Sequence, residues 1–263
     1  MKLTDKIKKR YNRQIIIPDI GEEGQQKLIS GSVLIIGAGG LGSASALYLA
    51  SAGIGRIGIA DSDKVEISNL HRQILYTSKD LGREKTCSAK KKLKAHNPDI
   101  KVDTYPERVT TENIFSLIEP YDFVVDAADS FASKFLINDA CVIKQKPYSH
   151  AGVIRFEGQL FTYIPGSACL RCIFPESPQT IMPGCQDQGI VGAVAGLFGT
   201  FQAVETIKAI LNKGMPLVNR LLTINAFTLQ MRILPFNKRT ECSICGNKEA
   251  QLDPKKYEEW SCA

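Results

Sequence analysis

One stretch, Val33-Leu34-Ile35-Ile36-Gly37-Ala38-Gly39-Gly40-Leu41-Gly42, constrains this chain more than any other. Four apolar, mostly β-branched residues predict a buried strand. The glycines Gly37, Gly39 and Gly42, with Gly40 and Leu41 between them, predict a tight G-x-G-x-x-G turn. Ser43–Ala50 then opens a helix. Strand, glycine turn and helix N-terminus make a cradle for phosphate, because glycine lets backbone N–H groups approach an anion. The helix dipole adds roughly half a positive charge at that point. The motif by itself fits a dinucleotide and ATP equally well.

The rest of the chain predicts the surroundings of that turn. Short basic and polar helices are expected over residues 4–12 and 22–29. Arg56–Ala60 is a second strand ending in Asp61-Ser62-Asp63, and a polar loop carries Asn69-Leu70-His71-Arg72-Gln73. A helix over 84–96 stops at Asn97-Pro98, since proline disfavours helix in the residue before it. Lys101–Tyr105 reads as a strand, 113–118 as a helix, and Phe123–Asp126 as a strand. A helix over 131–144 and a strand over 147–151 complete the alternation.

Such alternation predicts an α/β fold with a Rossmann-like, doubly wound and mostly parallel sheet. An antiparallel C-terminal extension follows, with strands over 155–163, 220–225 and 228–234 and an apolar helix over 190–211. Residues 175–189 have no period and read as a long mobile crossover loop, the kind that is usually functional. The polar tail from Lys248 is expected to fray. No repeat or linker interrupts the chain, so 1–263 is expected to form a single domain.

Composition excludes some classes. The net charge of +6 is modest, and the dense run Lys90-Lys91-Lys92-Leu93-Lys94 has no aromatic residues interleaved, so it reads as a solvated helix face. No nucleic-acid partner is expected. Apolar runs fall short of the roughly 20 residues that span a bilayer, and the basic N-terminus lacks a following apolar region, so neither membrane nor export is expected. A cytoplasmic setting follows.

The residues that carry chemistry are acids, cations and thiols. Asp61 stands about 20 residues past the glycines, where a ribose-binding carboxylate belongs. Asp129, just past the fourth strand, suits Mg²⁺ or a helix N-cap, although Ser130 can also cap. Arg13-Gln14, Arg72-Gln73 and Lys85 supply positive charge, which phosphoryl chemistry needs and a nicotinamide does not.

Among eight cysteines, Cys169/Cys172 and Cys242/Cys245 form two C-x-x-C pairs. Four thiolates are a closed tetrahedral zinc set, which is structural, and the site would tie a tail over 240–247 to the loop after the 155–163 strand. Free thiols are the plainer alternative. A redox dithiol is disfavoured because neither pair is expected to open a helix after a strand. Cys185, alone in the crossover loop, reads as a nucleophile or as a tolerated residue.

In this order the motifs resemble the ThiF/MoeB/HesA branch of the ubiquitin-activating-enzyme superfamily over roughly residues 10–246. The resemblance rests on Tyr11-Asn12-Arg13-Gln14, Gly37–Gly42, Asp61-Ser62-Asp63 and Ser68-Asn69-Leu70-His71-Arg72-Gln73. It also rests on Gly82-Arg83-Glu84-Lys85, Asp126-Ala127-Ala128-Asp129-Ser130, the C-x-x-C pairs and Gly189-Ile190-Val191-Gly192.

The resemblance implies a homodimeric adenylyltransferase that uses ATP and Mg²⁺ to activate the C-terminal glycine of a small ubiquitin-like sulfur carrier ending in Gly-Gly. It implies that Gly37, Gly39, Gly40, Leu41 and Gly42 cradle the nucleotide, that Asp61, with Asp63 in the same motif, binds ribose, and that Asn69, Arg72, Gln73 and Lys85 sit at the phosphates. It further implies Mg²⁺ on Asp129, Arg13 reaching the triphosphate from the partner subunit, Zn²⁺ on the four cysteines, and a Cys185 able to bond to the carrier.

Thiamin (thiazole) biosynthesis is expected ahead of the molybdopterin carrier. An NAD-dependent oxidoreductase is the reading from a different class. Ser130 stands where asparagine is usual, Lys134 where arginine is common, and Gly192-Ala193-Val194-Ala195-Gly196 where a proline-containing version is usual. No rhodanese domain follows the zinc motif, so sulfur is expected from a separate donor such as a cysteine desulfurase or a rhodanese.

Overall fold

The computed structural model describes residues 3–176 and 189–257. The chain begins with helices α1 (Asp5–Ile15) and α2 (Gly21–Ser30), then β1 (Ser32–Ile36), α3 (Gly40–Ala52) and β2 (Arg56–Ala60). α4 (Lys85–His96), β3 (Lys101–Tyr105), α5 (Ile114–Ile118), β4 (Phe123–Asp126), α6 (Phe131–Ile143) and β5 (Tyr148–Ile154) follow. β6 (Glu157–Tyr163), α7 (Leu170–Ile173), α8 (Gly192–Leu211), β7 (Arg220–Asn225) and β8 (Gln230–Pro235) close the described elements.

All eight strands join one sheet in the order β3-β2-β1-β4-β5-β6-β7-β8. β3 to β5 run parallel, and β6, β7 and β8 each pair antiparallel with the strand before. The predicted α/β class and its antiparallel extension are therefore both present. The order reverses between β1 and β4, and in open sheets of this kind that is where ligands bind, outside the strands' carboxyl ends.

Strand period explains the layering. Val33 and Ile35 point into one core with Leu49, Ile57, Leu93 and Phe198, under α2, α3, α4 and α8. Leu34 and Ile36 point into the other with Ile118, Phe135, Tyr148 and Phe161, under α5 and α6. α8 alone among the described helices is long and apolar enough to cross a membrane, and half of it is buried in the protein. It packs on α3, where a Cβ at Gly199 would meet Leu41 O at 2.3 Å and one at Gly40 would meet the Ala195 methyl at 2.9 Å.

Four expectations are corrected. β5 runs on to Ile154 and β6 begins at Glu157, because Gly152–Ile154 keep their ladder to Glu157–Gln159 and the chain turns through Arg155 at φ 50°. Cys169 does cap a short helix, the single turn α7. α1 continues to Ile15, past a kink at Tyr11, whose hydroxyl accepts from Asn97 Nδ2 at 2.8 Å.

The tail as far as Tyr257 is anchored rather than frayed. Ala250, Leu252 and Tyr257 pack on the α6-side core, and Tyr257 Oη donates to Asp139 Oδ2 at 2.7 Å. That carboxylate also takes a bidentate pair from Arg171 Nε and Nη2, at 2.8 and 2.7 Å. β8, by contrast, is exposed along its whole length.

Tyr257→Phe removes one hydrogen bond to a buried charge. It is expected to cost about 1–3 kcal/mol, read as a lower urea midpoint at unchanged slope.

Candidate nucleotide and metal sites

The glycine turn is forced by close backbone packing. Gly37 has φ 95°, and a Cβ there would lie 2.5 Å from Ala127 O at the end of β4. A Cβ on Gly42 would lie 1.9 Å from Gly37 O. Only glycine permits both approaches. Gly39 faces open space, its nearest neighbour being the Gln73 amide at 3.8 Å. The cradle is thus closed behind and open in front.

Hydrogen bonds fix its shape. Ala38 N–H donates to Asp61 Oδ2 at 2.7 Å, Asp63 N–H donates to Asp61 Oδ1 at 2.8 Å, and Tyr76 Oη donates to Ala38 O at 2.9 Å. Burial raises the Asp61 carboxyl above its usual range, opposed by the Lys85 charge and these two N–H donors. Lys85 is buried at 5% exposure, and its Nζ meets Asp63 Oδ2 at 2.7 Å.

Asn69 ends a 3₁₀ turn, Ile67–Asn69, and its Oδ1 accepts from Glu66 N–H at 3.3 Å. Arg72 lies against Gly40 and Gly192, its Nη1 donating to Ser68 O and His71 Nε2, both at 2.8 Å. Gln73 is buried, yet its Oε1 has no partner. An orphaned amide oxygen beside an open glycine cradle fits a ligand with hydrogen-bond donors.

One acid ends β4 and another follows it, and the structure separates them. Asp126 is fully buried and engaged, with Oδ2 at 2.8 Å from His150 Nδ1 and Oδ1 accepting from Ala128 N–H at 3.2 Å. Lys134 Nζ stands 3.4 Å from Asp126 Oδ1 and donates to Ala151 O at 2.6 Å. Asp129 is exposed. Ser130 caps α6, accepting from Ser133 N–H, so capping does not occupy Asp129.

Arg13 lies away from its own chain's turn. Its neighbour Gln14 donates to Ala52 O at the far end of α3. Thirteen residues at about 1.5 Å each put roughly 20 Å between that end and the glycines. Cys185 lies outside the described residues.

Sequence reasoning missed His150 and Tyr76, and it named Lys134 only as standing where arginine is common, without its Asp126 partner. A lone histidine in the β5 run gave no period or motif, and only its register partner Asp126 reveals its purpose.

The four cysteines come together. Their sulfurs all lie within 4.8 Å of one another, with Cys169–Cys242 at 3.7 Å and Cys172–Cys245 at 3.3 Å. Zinc–sulfur bonds of about 2.3 Å at tetrahedral angles separate the sulfurs by about 3.8 Å, so Zn²⁺ fits this set. The crowded sulfurs shift one another: Cys169 pulls the Cys172 thiol down to about 6, while Cys169 itself is held up by its neighbouring sulfurs. Arg239 N–H also donates to Cys172 Sγ at 3.4 Å, as the backbone does in a metal-binding turn.

The sequence model of the ThiF family matches residues 11–244. A sulfur carrier protein adenylyltransferase from Thermus thermophilus is 40% identical over 265 residues, 98% of each chain. An adenylyltransferase and sulfurtransferase MOCS3 from Anopheles gambiae is 45% identical over 240 residues, covering 90% of this chain and 54% of that one. The chain therefore spans about half the length of that relative. The solved structure of E. coli MccB with ATP matches at TM-score 0.79 and 26% identity, over 90% of this chain and 75% of that one.

Two outcomes are expected. Protein purified without chelator carries one zinc per chain by elemental analysis, and Cys242→Ser lowers the thermal midpoint by roughly 10 °C or more. Burial also holds His150 below its ordinary value of 6.5. The folded state then binds fewer protons than the unfolded state, so stability present above about pH 6.5 declines as pH falls below it. Melting curves from pH 7.5 to 5 check this, and His150→Phe flattens the decline.

Proposed function

The chain belongs to the ThiF family, and on that premise we propose that it is an ATP-dependent adenylyltransferase. Its second substrate is the C-terminal glycine carboxylate of a small ubiquitin-like sulfur carrier ending in Gly-Gly. What supports this reading is Arg72 packed against Gly40 and Lys85 linked through Asp63 to the Asp61–Ala38 turn, with the exposed Asp129 two residues past Ala127, which lies against Gly37. A triphosphate needs those charges, and a nicotinamide dinucleotide has little use for them.

In this reading Gly37–Gly42 cradle the phosphates and Asp61 takes the ribose hydroxyls. Asn69, Arg72, Gln73 and Lys85 hold the phosphate oxygens, with Asp63 keeping Lys85 extended toward them. The carrier's carboxylate oxygen attacks the α-phosphorus. The bond from that phosphorus to its bridging oxygen breaks, and pyrophosphate leaves with the electron pair. The protein's contribution is positioning, charge neutralisation and exclusion of water from the resulting acyl-adenylate.

Asp129 would hold Mg²⁺, which neutralises phosphate charge when bound. Arg13, remote from its own turn, serves the site of the second copy in a homodimer, as arginine fingers do in other phosphoryl-transfer enzymes. A persulfide on the sulfur donor, a cysteine desulfurase or a rhodanese, then attacks the acyl carbon and AMP leaves. An external thiol reduces the resulting acyl disulfide, is itself oxidised to a disulfide, and frees the carrier's thiocarboxylate. Cys185 serves that later step rather than adenylation.

The likeness to the T. thermophilus enzyme over 98% of both chains supports this substrate class, and reducing, cytoplasmic conditions suit four thiolates. Phe227, Leu229, Met231 and Ile233 form an exposed apolar strip at β8, which supplies the carrier's docking face. Of the two carriers, the one feeding thiazole synthesis is the first to test, and the molybdopterin carrier the second.

The test is exchange of labelled pyrophosphate into ATP. Exchange is expected only with a Gly-Gly-ending carrier. Asp129→Ala lowers it about 100-fold or more with an unchanged melting curve, and Cys185→Ala leaves it unaltered. No exchange with either carrier would overturn the proposal.

A further inference from the structure

Asp129, which is exposed, follows β4 by way of a turn whose anchor is Asp126. That carboxylate is fully buried, and three different elements hold it. His150 on β5 contacts Oδ2 at 2.8 Å. Lys134 on α6 stands 3.4 Å from Oδ1, while also donating to Ala151 O on β5. The Ala128 N–H donates to Oδ1 at 3.2 Å, bending the chain one residue before Asp129. From the opposite face, Gln202 on α8 donates to the Asp126 backbone oxygen at 2.7 Å. The Ala127 N–H donates to Ile36 O on β1, and Ala127 O lies against Gly37.

His150 is odd in this company. Its partner is a carboxylate, which assigns the proton to Nδ1. Nε2 is then a buried acceptor without a partner, and the ring packs on Phe161 at 5.2 Å between centroids. A buried orphan acceptor costs stability, and an apolar side chain would fill the same space without that cost. What the histidine adds is the Nδ1–H donor to Asp126.

We propose that His150, through Asp126, is a positioning residue that braces the Ala127–Ala128 turn and so fixes where Asp129 stands. Without the donor, Asp126 retains Lys134 at its longer contact, and that lysine is shared with Ala151 O. A carboxylate left with so little direct support in the interior reorients, and the Ala128 N–H loses its acceptor. Asp129 then wanders relative to the glycine turn. The role in Mg²⁺ binding rests on the adenylation reading, whereas the brace itself does not.

Two variants test this. His150→Phe keeps the ring on Phe161 and removes the donor. His150→Asn places an amide N–H near the Nδ1 position. In hydrogen–deuterium exchange, His150→Phe is expected to speed the Ala127 and Ala128 amides about tenfold or more, with β1 and α3 unchanged, and His150→Asn to restore most of the protection. In pyrophosphate exchange, His150→Phe raises the half-saturating Mg²⁺ concentration by a similar factor and leaves the KM for the carrier unaltered.

Unchanged protection at Ala127 and Ala128, or uniform loosening that His150→Asn does not rescue, overturns the brace. If His150→Phe does not fold, Asp126→Asn, of equal volume, is read by the same amides. A parent enzyme without exchange activity refutes the adenylation reading alone, because the amide measurement still decides the brace.

Discussion

Backbone contact between the ends of β1 and β4 governs this molecule. Gly37 is pressed so closely against Ala127 that no side chain fits between them, and Gly42 is pressed in turn against Gly37. These approaches bring the first parallel strand's glycine turn and the fourth strand's acidic turn to one point. Arg72 packs against that point, Lys85 is linked to it through Asp63 and Asp61, and Asp129 follows it two residues on. Asp61 ties the turn to β2, Tyr76 closes it from the side, and α8 seals it through Ala195 and Gly192. A substitution at Gly37 would do more than strain one residue, since it would part the two halves of the sheet where they meet the ligand.

Much of this was legible in the sequence because it depends on local signals. The run Val33–Ile36, the glycines after it and the acids ending β2 and β4 each follow from strand period and turn chemistry. The two C-x-x-C pairs are legible for a similar reason, since spacing alone sets two sulfurs on one metal. What could not be read is whatever depends on register between distant segments. His150 looks like a stray polar residue until β5 is laid beside β4, and only then does it face Asp126. Tyr257 looks like part of a polar tail until α6 presents Asp139. Asp129 is singled out by its place just past the fourth strand, but the reason Asp126 is not available, its complete burial, is a property of the packed sheet.

The four-cysteine lobe shows how a metal ion would make a small region rigid. Cys169 and Cys172 flank a single helical turn, and Cys242 and Cys245 sit on a knuckle 73 residues away from them. Neither piece has a core of its own. A tetrahedral metal site contributes on the order of 10 kcal/mol, far more than either turn could supply. Arg171 lies between the first two cysteines and pairs with Asp139 on α6, so the lobe is fixed to the sheet's cover by charge, whatever a metal would add. It also donates to Pro175 O, tying down the chain at the start of the 175–189 segment.

β8 carries a different kind of consequence. Among the described residues it is the last strand of the sheet, and Met231 and Ile233, with Leu229 just before it, are exposed. Natural sheets usually blunt such edges with charge, proline or a bulge, and here only Arg232 and Pro235 interrupt the run. A lone chain at high concentration therefore carries a template for strand-to-strand adhesion along its last strand. Self-association and precipitation are expected to begin there, and a ligand covering that edge would act as a solubiliser as well as a substrate.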